Sequence, residues 1–267
     1  MDHSRNRLHA WIVFMAAITV QMLTWFVLYP LAGYNDITLL IAQLVFLALG
    51  IGLIVVFKEN LNQIGAGAND FMRGVIGISV SYGLLLVILV SLNALGYPNT
   101  IFRQEYQLYS FANNWLLTGF GEELVFAGLL FNLIARSMKD CHRWRAVLLT
   151  AVLFSFWHLP GYLAIGLRMG TLGPDLVFDL LLRMVSWIFF GTIYLLSGNL
   201  WLTSFAHAST DYALLPAVVN SPLLGLVFMM INLLIAWLLI RSPFFTPDQF
   251  KLFKINNRGK IVKKDTL

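Results

Sequence analysis

The chain has 267 residues, of which 59% are hydrophobic and only 12% are charged, and its mean hydropathy is +0.76. A soluble domain is roughly a quarter charged, so this composition excludes a soluble globule and indicates a protein that crosses a membrane several times. The net charge of +5 comes from Lys and Arg at the ends of apolar segments, where lipid headgroups account for it, and therefore does not indicate nucleic-acid binding.

Eight apolar runs follow one another along the chain, each close to the ~20 residues that a helix needs to cross the hydrocarbon. The first run lacks a small-residue cleavage site, so we expect it to be a transmembrane helix and not a signal peptide. The sequence predicts an all-α fold, a polytopic bundle of about eight transmembrane helices in one integral membrane domain over residues 1–267. The predicted spans are Trp11–Leu31, Ile37–Phe57, Gly74–Leu95, Trp115–Ala135, Ala146–Leu167, Leu176–Leu196, Leu200–Val219 and Leu223–Ile240.

The distribution of Lys and Arg predicts the orientation of the bundle. Most of these residues fall in the segments that alternate on one side of the membrane, including a basic tail at residues 244–267, whereas the opposite loops keep only Arg103 and Arg168. Basic loops stay in the cytosol. We therefore predict that both termini are cytosolic.

Five residues that can carry charge or bind metal lie inside these apolar runs. A charged side chain near the bilayer centre costs a few kcal/mol or more, so such residues normally face the interior of a bundle and mark a site. At 1.5 Å per residue, all five fall at a similar depth, ~10–12 Å below the outer surface or one turn deeper, and we expect them to converge. A solvated interfacial charge or a packing histidine is the simpler alternative for any one of them. The five are Glu122, Glu123, His158, His207 and Asp211.

Their chemistry predicts a hydrolytic site. Two imidazoles with carboxylate oxygens fit a catalytic zinc that keeps one position open for water, and a glutamate beside that water can act as general base. No serine lies in a nucleophile elbow, and Cys141 is far from any helical histidine, so covalent catalysis is disfavoured. The predicted cofactor is a divalent metal, zinc, and the predicted ligands are His158, His207, Asp211 and Glu122.

The order of the motifs resembles that of a known family. Two adjacent glutamates, then Phe-x-x-x-His, then His-x-x-x-Asp, on three membrane helices, are similar to the CPBP family, the CAAX protease and bacteriocin-processing (Abi) group. The resemblance covers approximately residues 115–216. It implies an intramembrane protease fold, with family members working either as metalloproteases or as glutamate proteases.

The resemblance also implies a role for each site residue. Glu122 would activate the water and Glu123 would support it, while His158 and His207 would be the two family histidines. Asp211 would help to bind the metal or steady the oxyanion.

One position departs from the family pattern. The first motif usually ends in an arginine four residues after the second glutamate, and this chain has Ala127 there. The change removes a possible clamp for a substrate carboxylate and puts activity on prenylated C-terminal CAAX substrates in question. Arg183, the cation in the sixth run, can supply the missing charge. The alternative that the sequence favours is an ion pair between Arg183 and Asp179, one turn earlier.

The leading hypothesis is an intramembrane endopeptidase of the bacterial plasma membrane that hydrolyses a peptide or protein substrate. The resemblance implies a role in bacteriocin or signal-peptide processing or in self-immunity. The alternative is a non-proteolytic scaffold or immunity protein that keeps the fold, which Ala127 favours. An ion-coupled transporter ranks lower because the sequence shows no internal repeat. The expected partners are the substrate and the lipid bilayer, with no nucleic acid, and the oligomeric state is left open.

Overall fold

The apolar runs form long helices in the structure, a computed structural model that describes residues 3–97, 105–138, 143–170 and 174–241 and two short strands. The helices, in chain order, are α1 (His3–Ala32), α2 (Asp36–Phe57), α3 (Ala68–Ala94), α4 (Leu108–Ser137), α5 (Arg143–Met169), α6 (Pro174–Ser197), α7 (Leu200–Asp211), α8 (Ala217–Asn220) and α9 (Pro222–Arg241). In the tail, strands β1 (Phe253–Ile255) and β2 (Ile261–Lys263) pair in antiparallel orientation. The rest of the predicted basic tail lies outside the described residues.

Within the described part of the chain, six helices, α1 to α6, are long and apolar enough to cross a membrane, and α9 carries a shorter apolar stretch. The polytopic helical membrane bundle is thereby confirmed. Many large apolar side chains of α1, α2 and α3 are exposed on the outside of the bundle. Such a continuous apolar surface is expected where a protein contacts lipid.

The seventh predicted span differs from the structure. Leu200–Val219 was expected to cross the membrane, but α7 ends at Asp211 after 12 residues, or ~18 Å at 1.5 Å per residue. Pro216 prevents the predicted span from continuing as one helix to Val219, because it has no N–H to donate to the carbonyl of Tyr212 and disfavours a helical conformation at Leu215. That carbonyl instead accepts a hydrogen bond from Trp115 Nε1 at 2.9 Å.

Aromatic side chains satisfy the backbone where α7 stops inside the bundle. Tyr106 Oη donates to the carbonyl of Leu214 at 2.7 Å. The Tyr82 hydroxyl accepts from the Leu214 N–H at 3.3 Å, and the Tyr212 hydroxyl accepts from the Gln107 N–H at 2.9 Å. Unpaired backbone groups are costly away from water, so these contacts allow a half-length helix to end at this depth.

The two ends of the bundle can be distinguished by their contacts. At the near end, where α1 begins, the Arg136 guanidinium donates to both carboxylate oxygens of Glu59 at 2.7 and 2.9 Å, and His3 Nδ1 lies 3.1 Å from the Arg136 carbonyl. At the far end, Tyr109 Oη donates to the Asp36 carbonyl at 2.5 Å. Because α9 runs antiparallel to α3, it ends at the near end too. This arrangement fits an even number of passes, and the membrane orientation stays a prediction.

The loop between α2 and α3 fixes the start of α7 at the near end. Asn199 caps α7 by accepting from the Leu202 N–H at 2.8 Å and donates to the Asp70 carbonyl at 2.8 Å. The Leu200 N–H donates to the Gly65 carbonyl at 3.0 Å. Gly65 has φ +71°, and a Cβ there would lie 2.0 Å from the carbonyl oxygen of Gly198, so only glycine fits. The height and rotation of α7 are therefore set by this loop.

Helix α4 occupies the centre of the bundle. Its apolar window is 78% buried, compared with 22 to 44% for the other membrane-length helices, and every residue from Leu124 to Phe131 is buried. It approaches α7 closely at Gly119, where an added Cβ would lie 2.9 Å from both Ala208 Cβ and the Ser204 carbonyl oxygen. The small residues of α7 thus permit the close approach that the sequence indicated.

We expect Gly119→Ala to destabilise the protein, because the new methyl group must push α4 away from α7 at a contact with backbone. Overpacking of this kind costs about 1–3 kcal/mol, which a thermal unfolding experiment in detergent detects as a lower Tm. The matched control is Gly83→Ala in α3, where nothing lies within 4 Å of the added Cβ. Equal Tm values for the two variants would show that α4 and α7 do not meet at Gly119.

Candidate active site

The two adjacent glutamates lie in a short α-helical turn of α4 between two π-helical stretches. The α-helical turn is Gly119–Glu123, and the π-helical stretches are Asn113–Thr118 and Leu124–Phe131. A π-helical turn contains an extra residue and often occurs at functional sites. Its wider turns change which residues of α4 face α7. The Asn132 side-chain amide donates to the Ala127 and Gly128 carbonyls at 3.2 and 2.9 Å, which satisfies two acceptors of the second stretch.

Glu123 and His207 form a fully buried pair between α4 and α7. His207 Nδ1 donates to Glu123 Oε1 at 2.8 Å, and the two side chains are 3% and 0% exposed. The other oxygen of Glu123, Oε2, has no hydrogen-bond partner among the described residues. A carboxylate that holds one imidazole nitrogen fixes the orientation of the ring and directs the second nitrogen outward. Glu123 therefore positions His207.

The second nitrogen of His207 faces two further carboxylates. Nε2 lies 3.8 Å from Glu122 Oε2 and 3.7 Å from Asp211 Oδ2. The exposed fraction of the side chain increases from 3% for His207 to 8% for Glu122 and 25% for Asp211. The polar cluster thus opens on the side of Asp211 and is closed behind Glu123. Two side chains on α4 and two on α7 meet here, as their spacing predicted.

Aromatic rings enclose the His207 imidazole. Phe190 of α6 stacks on it with ring centroids 4.5 Å apart and an interplanar angle of 18°. Phe154 of α5 meets it edge-on at 6.0 Å. Both phenyl rings are buried. They hold the imidazole in place and exclude bulk water from the closed side of the cluster.

His158 lies on the other side of Phe154 and does not join the carboxylates. Its Nδ1 is 2.9 Å from the carbonyl of Phe154, one turn earlier in its own helix, and its ring contacts Phe154 and Trp157 at 4.6 and 4.7 Å. No carboxylate oxygen of the described residues lies within 4.0 Å of it. Phe154 also contacts His207, with ring centroids 6.0 Å apart, so one phenyl ring separates His158 from the cluster.

The placement of these groups does not match a preformed zinc site. Zinc holds its ligand atoms at about 2.1 Å in a tetrahedron, which places neighbouring ligand atoms ~3.4 Å apart. The distances from His207 Nε2 to Glu122 and Asp211 are 3.8 and 3.7 Å, and His158 is separated from them by Phe154. Among the described residues, no group of three or more His, Cys, Asp or Glu side chains is placed to hold one metal ion.

Arg183 of α6 makes its hydrogen bond across the bundle and not along its own helix. Its Nε donates to the Tyr162 hydroxyl of α5 at 3.1 Å. The ion pair with Asp179 that the sequence favoured is wrong, since these two side chains are not within 4.0 Å of each other. The partner of Arg183 is therefore Tyr162 on a neighbouring helix, whereas the sequence predicted Asp179.

Ala127 lies away from the polar cluster, inside the apolar core. It is fully buried with Phe126 and Leu129 in the cluster of side chains around α4. The position that carries arginine in the family motif therefore has a methyl group that is packed into the apolar core cluster in this protein.

Two residues of this site were not anticipated from the sequence. Phe190 follows Arg183 by seven residues, or two helical turns, so the two lie on one face of α6, and this spacing could have indicated Phe190. Tyr162 follows His158 by four residues on α5 and could have been found in the same way. Neither residue carries a charge, so neither shows the feature that marks the other site residues in the sequence, a charged or metal-binding group inside an apolar run.

Comparison with known proteins supports the resemblance seen in the motifs. No curated protein and no solved structure shows a significant match to the chain. A family model described as "Type II CAAX prenyl endopeptidase Rce1-like" matches residues 104–213, the segment that contains Glu122, Glu123, His158, His207 and Asp211. The match covers less than half of the chain, and it makes residues 104–213 of this integral membrane protein similar to the Rce1-like CAAX endopeptidases.

Proposed function

We propose that this protein is an intramembrane endopeptidase in which Glu122 activates a water molecule to hydrolyse a peptide bond of a membrane-associated substrate. The observation that carries the proposal is the convergence of His207 Nε2 with Glu122 and Asp211, at 3.8 and 3.7 Å, at the open side of a buried cluster. This arrangement offers a general base beside an oriented imidazole. The Rce1-like match of residues 104–213 supports the same reaction class.

A water molecule fits between the side chains of His207 and Glu122. Nε2 of His207 and Oε2 of Glu122 are 3.8 Å apart, too far for a direct hydrogen bond. One water at about 2.8 Å from each atom, an ordinary hydrogen-bond length, would bridge them. Glu122 then removes a proton from the water while its oxygen attacks the carbonyl carbon of the scissile peptide bond.

The tetrahedral intermediate that forms carries negative charge on the former carbonyl oxygen. Because Nδ1–H of His207 is held by Glu123, the imidazolium form of His207 directs its second N–H, on Nε2, to the open side, where it can donate to that oxygen. The carbon–nitrogen bond then breaks, and Glu122 returns its proton to the leaving amine. The products are a peptide with a new carboxylate and a peptide with a new amine.

Several finer points stay proposals. The family resemblance supports zinc, whereas the described side chains are not spaced to bind it, so the mechanism above uses only groups of the chain and metal analysis of purified protein tests the ion. A role in bacteriocin or signal-peptide processing or in self-immunity rests on the motif resemblance alone. The same holds for cytosolic termini and for a bacterial plasma membrane.

We expect Glu122→Gln to lower the rate of peptide hydrolysis by at least about 100-fold, because the amide cannot accept the proton from water and general-base catalysis typically contributes 10²–10⁴-fold. The assay uses protein in detergent and a fluorogenic prenylated peptide that ends in a CAAX sequence. Cells that express either form are also compared for newly formed peptide N-termini, which detects cleavage whatever the substrate.

The matched control is Glu105→Gln, which makes the same chemical change at an exposed position. This control should retain the wild-type rate and the wild-type set of new N-termini. If the Glu122 and Glu105 variants behave alike in both measurements, the enzyme proposal is wrong and a scaffold role is favoured.

Glu123→Gln should reduce kcat by about 10- to 100-fold with little change in KM, since groups that orient a catalytic ring typically contribute this much. Gln can still accept from His207 Nδ1 through its carbonyl oxygen. In Glu123→Ala the imidazole N–H is left unpaired in a buried site, which costs about 1–3 kcal/mol, so this variant should also unfold at a lower temperature.

Steady-state kinetics and thermal unfolding, measured on the same preparations, separate the two effects of Glu123. A Glu123→Gln variant with unchanged kcat would show that the buried pair does not orient His207 for the reaction.

A further inference from the structure

Arg183 lies on the face of α6 that borders the polar cluster and makes no ion pair with the carboxylates of the cluster. Arg183 and Phe190 are two turns apart on one face of α6, and Phe190 stacks on His207. That face of α6 is therefore the one that borders the cluster. From α5, Tyr162 accepts from Arg183 Nε at 3.1 Å, and its ring lies 6.5 Å from that of His158, so the guanidinium lies between the same two helices that border the cluster.

Most of the hydrogen-bonding capacity of this guanidinium is free. An arginine has five N–H donors, and only Nε–H has a hydrogen-bond acceptor among the described residues, the Tyr162 hydroxyl at 3.1 Å. Neither Glu122 nor Asp211 comes within the 4.0 Å of an ion pair. The two terminal nitrogens, with four N–H groups, thus remain available near the opening.

A guanidinium in such a position is suited to one chemical class of ligand. Its planar fork binds a carboxylate through two parallel hydrogen bonds, which gives both strength and orientation. A part-buried cation with most of its donors unpaired is costly in an apolar surrounding, so a ligand that completes its hydrogen bonds would bind favourably. The bond to Tyr162 fixes the plane of the fork before any ligand arrives.

We propose that Arg183 determines specificity by binding the C-terminal carboxylate of the substrate, with Tyr162 as its positioning residue. The inference rests on the proposed peptidase function and deepens it. The substrate class is a peptide that ends in a free carboxylate near the scissile bond. Arg183 on α6 thereby binds a carboxylate, which the methyl group of Ala127 cannot do.

The test compares two prenylated CAAX peptides that differ only at the C-terminus, one a free acid and the other an amide. Wild-type protein should cleave the acid peptide with a kcat/KM about 10–100 times that for the amide peptide. Arg183→Gln should reduce this ratio of kcat/KM values to about one, mainly by raising the KM for the acid peptide. Arg183→Lys keeps the charge but loses the fork, so it should restore only part of the ratio. Tyr162→Phe should lower the ratio by a smaller factor than Arg183→Gln.

A third peptide, amidated but with glutamate as its last residue, distinguishes a side-chain carboxylate from the C-terminal one. Cleavage of this peptide as fast as the free acid would overturn the assignment to the C-terminus. The control variant is Arg168→Gln at the exposed end of α5, which should keep the wild-type ratio. An acid-to-amide ratio that survives Arg183→Gln, or equal losses on both peptides, would overturn the proposal.

A binding measurement keeps this test separate from the question of catalysis. The affinities of Glu122→Gln protein for the acid and amide peptides are measured in detergent, with Arg183 either intact or replaced by Gln. Tighter binding of the acid that depends on Arg183 supports the proposal even if no peptide is cleaved. Equal affinity for both peptides with Arg183 intact overturns it, whatever the result for hydrolysis.

Discussion

The hydrogen bond between Glu123 and His207 is the interaction on which the arrangement of the site depends. A carboxylate and an imidazole that are 0% and 3% exposed are tolerated in an apolar bundle only when each satisfies the other. The bond joins the central helix α4 to the half-length helix α7, and it can form because Gly119 lets the two backbones approach. It also determines which imidazole nitrogen faces Glu122. The same pair therefore meets two requirements. Each buried polar side chain has a hydrogen-bond partner, and the imidazole has a fixed orientation.

The short length of α7 is compatible with a membrane because the helix is enclosed by protein. Its residues from Leu200 to Ser209 are almost all buried, and the chain beyond it is satisfied by the side chains of Trp115, Tyr106 and Tyr82. Irregular backbone is tolerated at membrane depth under these conditions and not where it faces lipid. The end of the helix leaves Asp211 at the open side of the cluster, so the same break that shortens α7 gives the site its opening.

Much of this organisation follows from the sequence. Hydropathy predicts the membrane bundle, and the cost of charge in lipid predicts that Glu122, Glu123, His207 and Asp211 share a pocket. The break in the seventh predicted span had a signal in Pro216, which a count of apolar residues overlooks because it does not weigh the missing N–H. The two π-helical stretches of α4 have no comparable signal, since no residue preference distinguishes them from an α-helix of the same composition.

The placement of single side chains depends on contacts between helices that periodicity does not reveal. His158 has the spacing of a ligand, but its ring bonds to the carbonyl of Phe154 and packs on Trp157. Arg183 has a carboxylate one turn away in Asp179, yet it takes the Tyr162 hydroxyl of α5. In both cases, the side chain has a partner within its own helix and another across the bundle, and only the packing decides between them.

The burial of Ala127 has a consequence for which side chains this position can accept. Ala127 is packed with Phe126 and Leu129 in the apolar core, so a long cationic side chain has no room there. Substitution by arginine would meet both a steric and an electrostatic barrier. Arginine at position 127 would require compensating changes in the surrounding core, so substitutions at this position and in its packing shell are expected to be epistatic.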